Sequence, residues 1–405
     1  MRIKPLTQGL CIGSTLLGGA MLAQADDQSM DDLKARVAQL EALATKEGLL
    51  TNSTPAPKLV SAMTDITVSG YVQASYFYNT QHPSDGYSDS YLWNTKDNSF
   101  SMNKAKITVA SAPVASDKWD AGFRTSLIFG DDAPILNTGG NNSSFNDLRE
   151  AYLELNIPIG SGIDVKAGEM ISLLNYESGD GGAANVNFSQ GYQWWYTGNG
   201  PSAGIQASYN FTDKVSLTVR VDNGLFQGPD DANQGKAFSG SLNFKPTANL
   251  WANLIGWYEK GTGGTDISGI SSIGGFQITK ALGTGYEVDY FNFSNSGGGS
   301  DMYSVGGWAW YDFTDKVELA FRADYVDSPD LTLGPAVRGT PSGVFSAEGF
   351  PTSSDIGSLT LTLNLKPTPA IKIQPEIRYN YTTYGGRLDG RKNAFIVGCG
   401  ATYMF

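Results

Sequence analysis

The sequence predicts an all-β protein: a transmembrane antiparallel β-barrel of about sixteen strands, preceded by a short N-terminal helical, coiled-coil-like segment. Three observations predict it. From Asp65 onward, apolar and polar residues alternate with period two. Short turns alternate in order with longer polar loops, and the last strand alternates up to an aromatic final residue. Composition agrees. Charged residues are 17% of the chain, against about 25% in soluble domains, while aromatics reach 12%. No run of about 20 apolar residues occurs, so no membrane-spanning helix is expected. A barrel strand is only half apolar, which fits the slightly negative mean hydropathy.

Residues 1–25 read as a secretory signal peptide. Arg2 and Lys4 supply the basic start, Leu10 to Leu22 the apolar stretch, and Ala23-Gln24-Ala25 a small-x-small cleavage site. Its removal takes Cys11 with it and leaves Cys399 as the single thiol, so no intramolecular disulfide is possible. The net charge moves from −12 to −14 once Arg2 and Lys4 are lost, which argues against nucleic acid as a partner. Residues 26–50 hold a periplasmic helical segment: Leu33, Val37, Leu40 and Ala44 follow the spacing of a coiled-coil seam. Barely two heptads are present, so oligomerisation stub and amphipathic leader remain open readings. Residues 51–63, with Pro55 and Pro57, are a linker, and 64–405 form the barrel.

The strand pattern is clearest in 150–157, 215–221, 359–366 and 371–380, where Leu359, Leu361, Leu363 and Leu365 alternate with Thr360, Thr362, Asn364 and Lys366. The turn Phe211-Thr212-Asp213-Lys214-Val215 recurs as Phe313-Thr314-Asp315-Lys316-Val317. Seven such short turns alternate with eight longer loops, including 80–99, 131–145, 173–198 and 328–355, and Gly297-Gly298-Gly299 reads as a flexible loop tip. The final strand sets Phe395, Val397, Cys399, Ala401, Tyr403 and Phe405 on one face. Aromatics gather at both strand ends: Trp119, Phe211, Phe313 and Tyr403 at one, Tyr78, Phe129, Tyr258 and Tyr325 at the other.

Residues 65–405 resemble the OmpL-like β-barrel porins. The similar stretches are Gly122-Phe123-Arg124 through Phe129-Gly130-Asp131, Leu148-Arg149-Glu150-Ala151-Tyr152-Leu153 and Val165-Lys166-Ala167-Gly168. They continue in the two Phe-Thr-Asp-Lys-Val turns and in Lys236-Ala237-Phe238-Ser239-Gly240. The resemblance implies an outer-membrane channel without a defined substrate. It also implies that a terminal strand carrying Tyr403 and Phe405 is the signal read by the barrel assembly machinery.

Alternation predicts which charges face the lumen, because a charge at the lipid midplane costs about 2–4 kcal/mol. The basic ones are Lys104, Lys106, Arg124, Lys166, Arg220, Arg322, Lys372 and Arg378. The acidic ones are Asp120, Glu150, Glu154, Asp222, Glu287, Asp289, Glu318, Asp324 and Glu376. Mixed signs suit a general aqueous pore, or structural salt bridges along the wall. Loop 173–198, with Glu177, Asp180, Trp194, Trp195 and Tyr196, is the candidate for narrowing the lumen. Its aromatic triplet reads alternatively as a sugar-stacking platform or as an anchor at the outer headgroups, and loops 80–99 and 328–355 are equal candidates.

His82 is the one histidine and precedes Pro83 in a presumptive loop, and no Gly-x-Ser-x-Gly elbow or His/Cys ligand spacing occurs. No enzyme activity and no cofactor or metal are expected. The sequence therefore predicts a porin passing small hydrophilic solutes and ions by diffusion. A weak cation preference is expected from carboxylates assigned to the outer mouth: Asp85, Asp89, Asp97, Asp131, Asp132, Glu177, Asp180, Asp230 and Asp231, opposed by Arg387, Arg391 and Lys392. The alternative is a plugged barrel serving adhesion or envelope anchoring. Expected partners are outer-membrane lipid, the assembly machinery, small solutes or ions, and further copies of the chain in a trimer.

Overall fold

The computed structural model describes residues 66–88, 93–114, 117–136, 147–198, 201–224, 235–260, 266–295, 298–328, 354–383 and 388–405. The signal peptide, helical segment and linker read in residues 1–63 lie outside the described residues, as do Asp89, Asp230, Asp231 and Arg387.

Sixteen antiparallel strands close into one barrel. They are β1 (Thr67–Asn79), β2 (Ser99–Ser111), β3 (Asp120–Phe129), β4 (Leu148–Ile157), β5 (Ile163–Met170), β6 (Ser202–Asn210), β7 (Val215–Asp222) and β8 (Ala237–Thr247). The second half holds β9 (Leu250–Lys260), β10 (Asp266–Gln277), β11 (Leu282–Asn295), β12 (Gly298–Thr314), β13 (Val317–Ser328), β14 (Ser354–Thr368), β15 (Ile371–Tyr381) and β16 (Asn393–Met404). Each strand pairs with its chain neighbours, and β1 pairs with β16 from Tyr71↔Met404 to Asn79↔Ile396. Gly70 and Phe405 finish the seam by exchanging backbone hydrogen bonds of 2.9 and 3.0 Å. Lipid offers backbone groups no partner, so this closure is what permits a sheet there at all.

Alternation sorts the side chains. On β15, Lys372, Gln374, Glu376, Arg378 and Asn380 are buried inside while Ile371, Ile373, Ile377 and Tyr379 face out. The same holds on β14, where Leu359 and Leu361 are exposed and Thr360 and Thr362 are buried. Tyr403 and Phe405 lie exposed on the outer face. The recurrent turn owes its sequence to the threonine: Thr212 Oγ1 accepts from the Lys214 and Val215 amides at 3.1 and 3.0 Å. Thr314 does the same for Lys316 and Val317, and Thr279 for Ala281 and Leu282.

Two departures from the sequence reading concern register. Gly298 and Gly299 are not a loop tip: they pair with Asn295 and Ser294, so β11 and β12 are separated by residues 296–297 alone. Eight long loops therefore overstates the outer connections, because the ladder runs on through the glycines. In addition, Ser126 pairs with Glu150 but Leu127 with Leu148, leaving Arg149 as the extra residue of a bulge. Another bulge lies at Asn103 of β2, the extra residue between the pairs Gln73↔Lys104 and Ala74↔Met102.

The face assignment is testable at mid-strand. Leu361→Arg on the outer face of β14 is expected to lower folding stability by about 2–4 kcal/mol in urea titrations of the bilayer-reconstituted barrel. Unchanged stability would place Leu361 away from lipid.

Candidate functional site

Period two drives a set of charged side chains into the lumen, where each must find a partner. The connection from β5 to β6, residues 171–201, supplies many of them by folding into the barrel. At its centre, Glu177 accepts a hydrogen bond from Arg322 Nη1 of β13 at 2.9 Å, with both side chains almost fully buried. Glu177 also accepts from the Gly191 amide at 2.7 Å, and Arg322 Nε lies 3.4 Å from Asp324. Burial pushes the Glu177 carboxyl above its ordinary range despite Arg322 beside it.

Further contacts tie the segment down along β11–β16 and β1–β2. Glu376 accepts from the Phe188 amide at 2.9 Å and from the Ser189 hydroxyl. Lys372 donates to the carbonyls of Gly182 and Asn185 at 3.0 and 2.6 Å, and Asn364 to that of Val186 at 2.7 Å. Glu287 accepts from the Tyr176 amide at 2.8 Å and from Asn175 at 3.1 Å. On the opposite flank, Lys106 pairs with Asp180 at 2.9 Å, Tyr71 donates to the same carboxylate at 2.9 Å, and Lys104 donates to the Gly179 carbonyl at 3.1 Å. Burial opposes ionisation of Asp180, but the Lys106 ammonium outweighs it and holds the carboxyl below its ordinary range. Between these anchors the chain turns through Gly181, whose φ of +58° is the left-handed region that favours glycine. Phe188 lies over Gly400 of β16 and stacks on Phe77, ring centroids 5.8 Å apart; a Cβ at Gly400 would meet the ring at 2.1 Å.

Two short helices complete the inner structure. α1 (Ala133–Leu136) follows β3, and its Leu136 carbonyl accepts from Arg149, which the bulge turns inward. Asp132, at its start, lies 4.0 Å from Lys104, and burial pushes its carboxyl up to about 6. α2 (Tyr192–Thr197) packs on β12, β13 and β14. Its Gln193 donates to Asp289 and Ser304 at 2.7 and 2.9 Å, and Trp194 and Trp195 meet Trp93 edge-on at 4.9 and 6.1 Å. The triplet Trp194-Trp195-Tyr196 thus belongs to an interior cluster, not to the outer headgroup zone.

The wall from β3 to β10 is different. Arg124, Tyr152, Glu154, Asp164 and Lys166 are only half-buried, with Arg124 paired to Glu150 at 3.0 Å and Lys166 to Glu154 at 3.3 Å. A cavity of about 230 Å³ opens between the segment and β1–β3, lined by Tyr71, Lys106, Arg124, Asp180, Ala183 and Ala184 among others. Arg220 is buried against Gln206 and the Ile171 carbonyl, Asp222 receives the Gly224 amide, and Glu318 pairs with Lys366 at 2.7 Å. Arg378 is buried inside β15. Asp120 instead caps the turn before β3 by accepting from the Val114 amide at 2.6 Å.

Sequence reasoning placed Asp132 at the outer mouth, and read Glu177 and Asp180 both there and in a loop narrowing the lumen; all three are inside the barrel, in contact with Lys104, Arg322 and Lys106. Arg149 was missed because strict alternation turns it outward, and the cost of an arginine facing lipid was the available signal. Gln193, Ser189 and Phe188 were missed because their partners lie more than ninety residues away. Lys366 was missed although it alternates inward with Asn364.

Over residues 65–405 the chain matches the family described as Putative beta-barrel porin-2, OmpL-like. No curated protein matches it. Solved structures share the barrel. OprB of Pseudomonas putida, at high pH, aligns over 86% of this chain and 96% of its own with a TM-score of 0.56 and 12% identity. The anion-selective porin of Comamonas acidovorans aligns over 84% and 99%, with a TM-score of 0.55 and 13% identity. OmpT of Vibrio cholerae, in a trimer form, aligns over 84% and 99%, with a TM-score of 0.54 and 11% identity. At these identities the likeness is one of fold.

Two outcomes follow from the anchors. Arg322→Ala strands Glu177 and Asp324 without their buried cation and is expected to cost about 3–5 kcal/mol in chemical denaturation. The double change Arg322→Met with Glu177→Met should recover part of it; additive losses would show that the two side chains act independently. Asp180 has a folded pKa below the ordinary 3.8, so its clamp on Lys106 is at full strength above that pH and is lost as pH falls through the folded value. Proteolytic release of 171–198 should therefore rise in that acid range, and Asp180→Asn should show the higher susceptibility already at pH 7.

Proposed function

The chain belongs to the OmpL-like β-barrel porin family of the outer membrane, and from that premise we propose that it is a diffusion channel for small hydrophilic solutes and ions, narrowed by residues 171–198. The observation that carries this reading is the asymmetry of the lumen. Segment 171–198 buries the inner wall of β11–β16, while on β3–β9 Arg124, Tyr152, Glu154, Lys166, Ser216, Asn243 and Asn253 stay half-buried beside the fully buried Glu150, Arg220 and Glu259. A barrel of about this size ordinarily encloses an aqueous channel, and an inward loop reduces its section without abolishing it.

A weak cation preference fits the charges that remain accessible. Inside, Glu154, Asp164 and Asp120 stand against Arg124 and Lys166, largely in neutralising pairs. At the outer end Asp131 pairs with Lys96 at 2.6 Å, and Asp85 and Asp97 are set against the exposed Arg391 and Lys392. The excess is small, so it acts only over about 8 Å at physiological salt. A trimer is the assembly proposed, supported by the trimer form of a protein of the same fold. Tyr403 and Phe405, exposed beside the closing seam, are proposed as the assembly signal.

The extent of the covered wall favours one second reading, a barrel closed by its own segment and serving adhesion or anchoring. Planar-bilayer recording separates the two. The channel reading expects discrete conductance steps, larger when 179–190 are replaced by a short Gly-Ser linker. In a KCl gradient it expects reversal potentials of cation sign that fade as salt rises. Silence of the full chain with conduction by the shortened one would establish the closed barrel. Anion-sign potentials at low salt would reverse the selectivity.

A further inference from the structure

The lumen holds a sector unlike the rest. On β9 to β12, Trp251, Gly275, Gly285 and Trp308 stand opposite one another in register, all pointing inward. The two glycines leave the wall flat, and rings cover it. The Trp251 indole lies over Gly275, where a Cβ would meet Nε1 at 2.6 Å. Tyr176, delivered by the inner segment, lies over Gly285, where a Cβ would meet its ring at 2.1 Å. The Tyr176 and Trp251 rings are within 3° of parallel with centroids 6.0 Å apart, and Trp308 stacks against Tyr176 at 4.4 Å. Trp308 is buried beneath this layer and donates its N–H to Glu177 at 3.3 Å, whereas Trp251 and Tyr176 are only half-buried.

One step along the strands runs a second row in register: Asn210, Ser216, Asn243 and Asn253, on β6, β7, β8 and β9. None is fully buried. The next inward positions toward the outer end, Ser208, Thr218 and Ser241, are hydroxyls. No ionisable side chain stands among these positions, although charges line the lumen on either side. Carboxamides and hydroxyls can each donate and accept, which suits a ligand carrying many hydroxyls and no charge. A half-exposed flat aromatic layer in an aqueous lumen suits a ligand with an apolar C–H face.

We propose that Trp251, Tyr176 and the row Asn210–Ser216–Asn243–Asn253 form a binding subsite for a neutral carbohydrate. A pyranose would lay its C–H face on the two rings with its hydroxyl edge at Asn253, and further units of an oligosaccharide would follow the row across β8 and β7 to Asn210. The proposal rests on the channel reading for access to the lumen, but binding itself does not require conduction.

Two measurements on the full-length barrel test it. In bilayers, maltohexaose should interrupt the ionic current with saturable, concentration-dependent events, while a polyethylene glycol of similar size should not. Trp251→Ala should raise the half-blocking concentration about tenfold, the scale of one lost ring contact. Asn253→Leu, which leaves the rings in place, should weaken the sugar and leave the response to polyethylene glycol unchanged. In detergent, tryptophan fluorescence titrated with maltohexaose should shift in the wild-type chain and lose that component in Trp251→Phe. Equal block by sugar and polyethylene glycol, block indifferent to Trp251→Ala and Asn253→Leu, or a fluorescence response unchanged in Trp251→Phe would overturn the subsite. Absence of any current with an intact fluorescence response would refute the channel and leave the subsite standing.

Discussion

Every feature of this barrel descends from one constraint: in hydrocarbon a backbone N–H or C=O finds a partner only in another strand, at a cost of several kcal/mol if it finds none. The constraint forces closure, which the seam between β1 and β16 achieves down to the Gly70–Phe405 exchange. Closure in turn fixes the period. Each strand has one face to lipid and one to the lumen, so a residue's parity decides its solvent. The leucines of β14 and the isoleucines of β15 follow lipid, and every charge on those strands is driven inside.

That sorting creates a second problem, which the inner segment resolves. Arg322, Lys372 and Glu376 are driven into an interior where residues 171–198 exclude water from them, so they need direct partners. The segment offers them backbone groups as well as side chains: carbonyls of Gly182, Asn185 and Ser189 to the cations, amides of Phe188 and Ser189 to the Glu376 carboxylate. Charge-assisted bonds of this kind are roughly twice as strong as neutral ones, and they are spread over several strands. A short-range scaffold of charges thus holds a long connection in a single place.

The barrel was legible in the sequence because its signals are local. Parity is visible within a strand, the Thr-Asp-Lys turn within five residues, and the terminal aromatic at the last position. What escaped was non-local or broke parity. Arg149 breaks it by a bulge that a one-residue register shift creates, and no alternation rule registers an inserted residue. Gly298 and Gly299 look like a turn because glycine is common in turns, yet the ladder of β11 and β12 claims them. Glu177 and Asp180 sit in a long polar loop, a position that fits a mouth carboxylate as well as a residue of a lumen-narrowing loop. Only their partners on β13 and β2, far away in sequence, show that the loop lies inside. Lys106 and Arg322 lie inside the barrel against Asp180 and Glu177, and parity does not contain the identity of what they bind.

The two sides of the lumen differ in more than exposure. Where the segment is anchored, contacts are ionic, buried and numerous, as suits a part that must not move. On the other side, charges are paired along the wall of β3–β5, and Asn210, Ser216, Asn243 and Asn253 of β6–β9 add amides and a hydroxyl, with Arg220, Asp222 and Glu259 buried nearer the outer end. In the proposed channel a solute on that side would meet these exchangeable hydrogen-bond groups, and a conducting pathway needs contacts strong enough to admit and weak enough to release. Tyr176 joins the two regimes. Its amide belongs to the anchored side through Glu287, while its ring lies beside Trp251 on the open one. The position of the aromatic layer is therefore set by the ionic anchors, so loosening Glu177 or Glu287 would disturb the open wall without touching any residue on it.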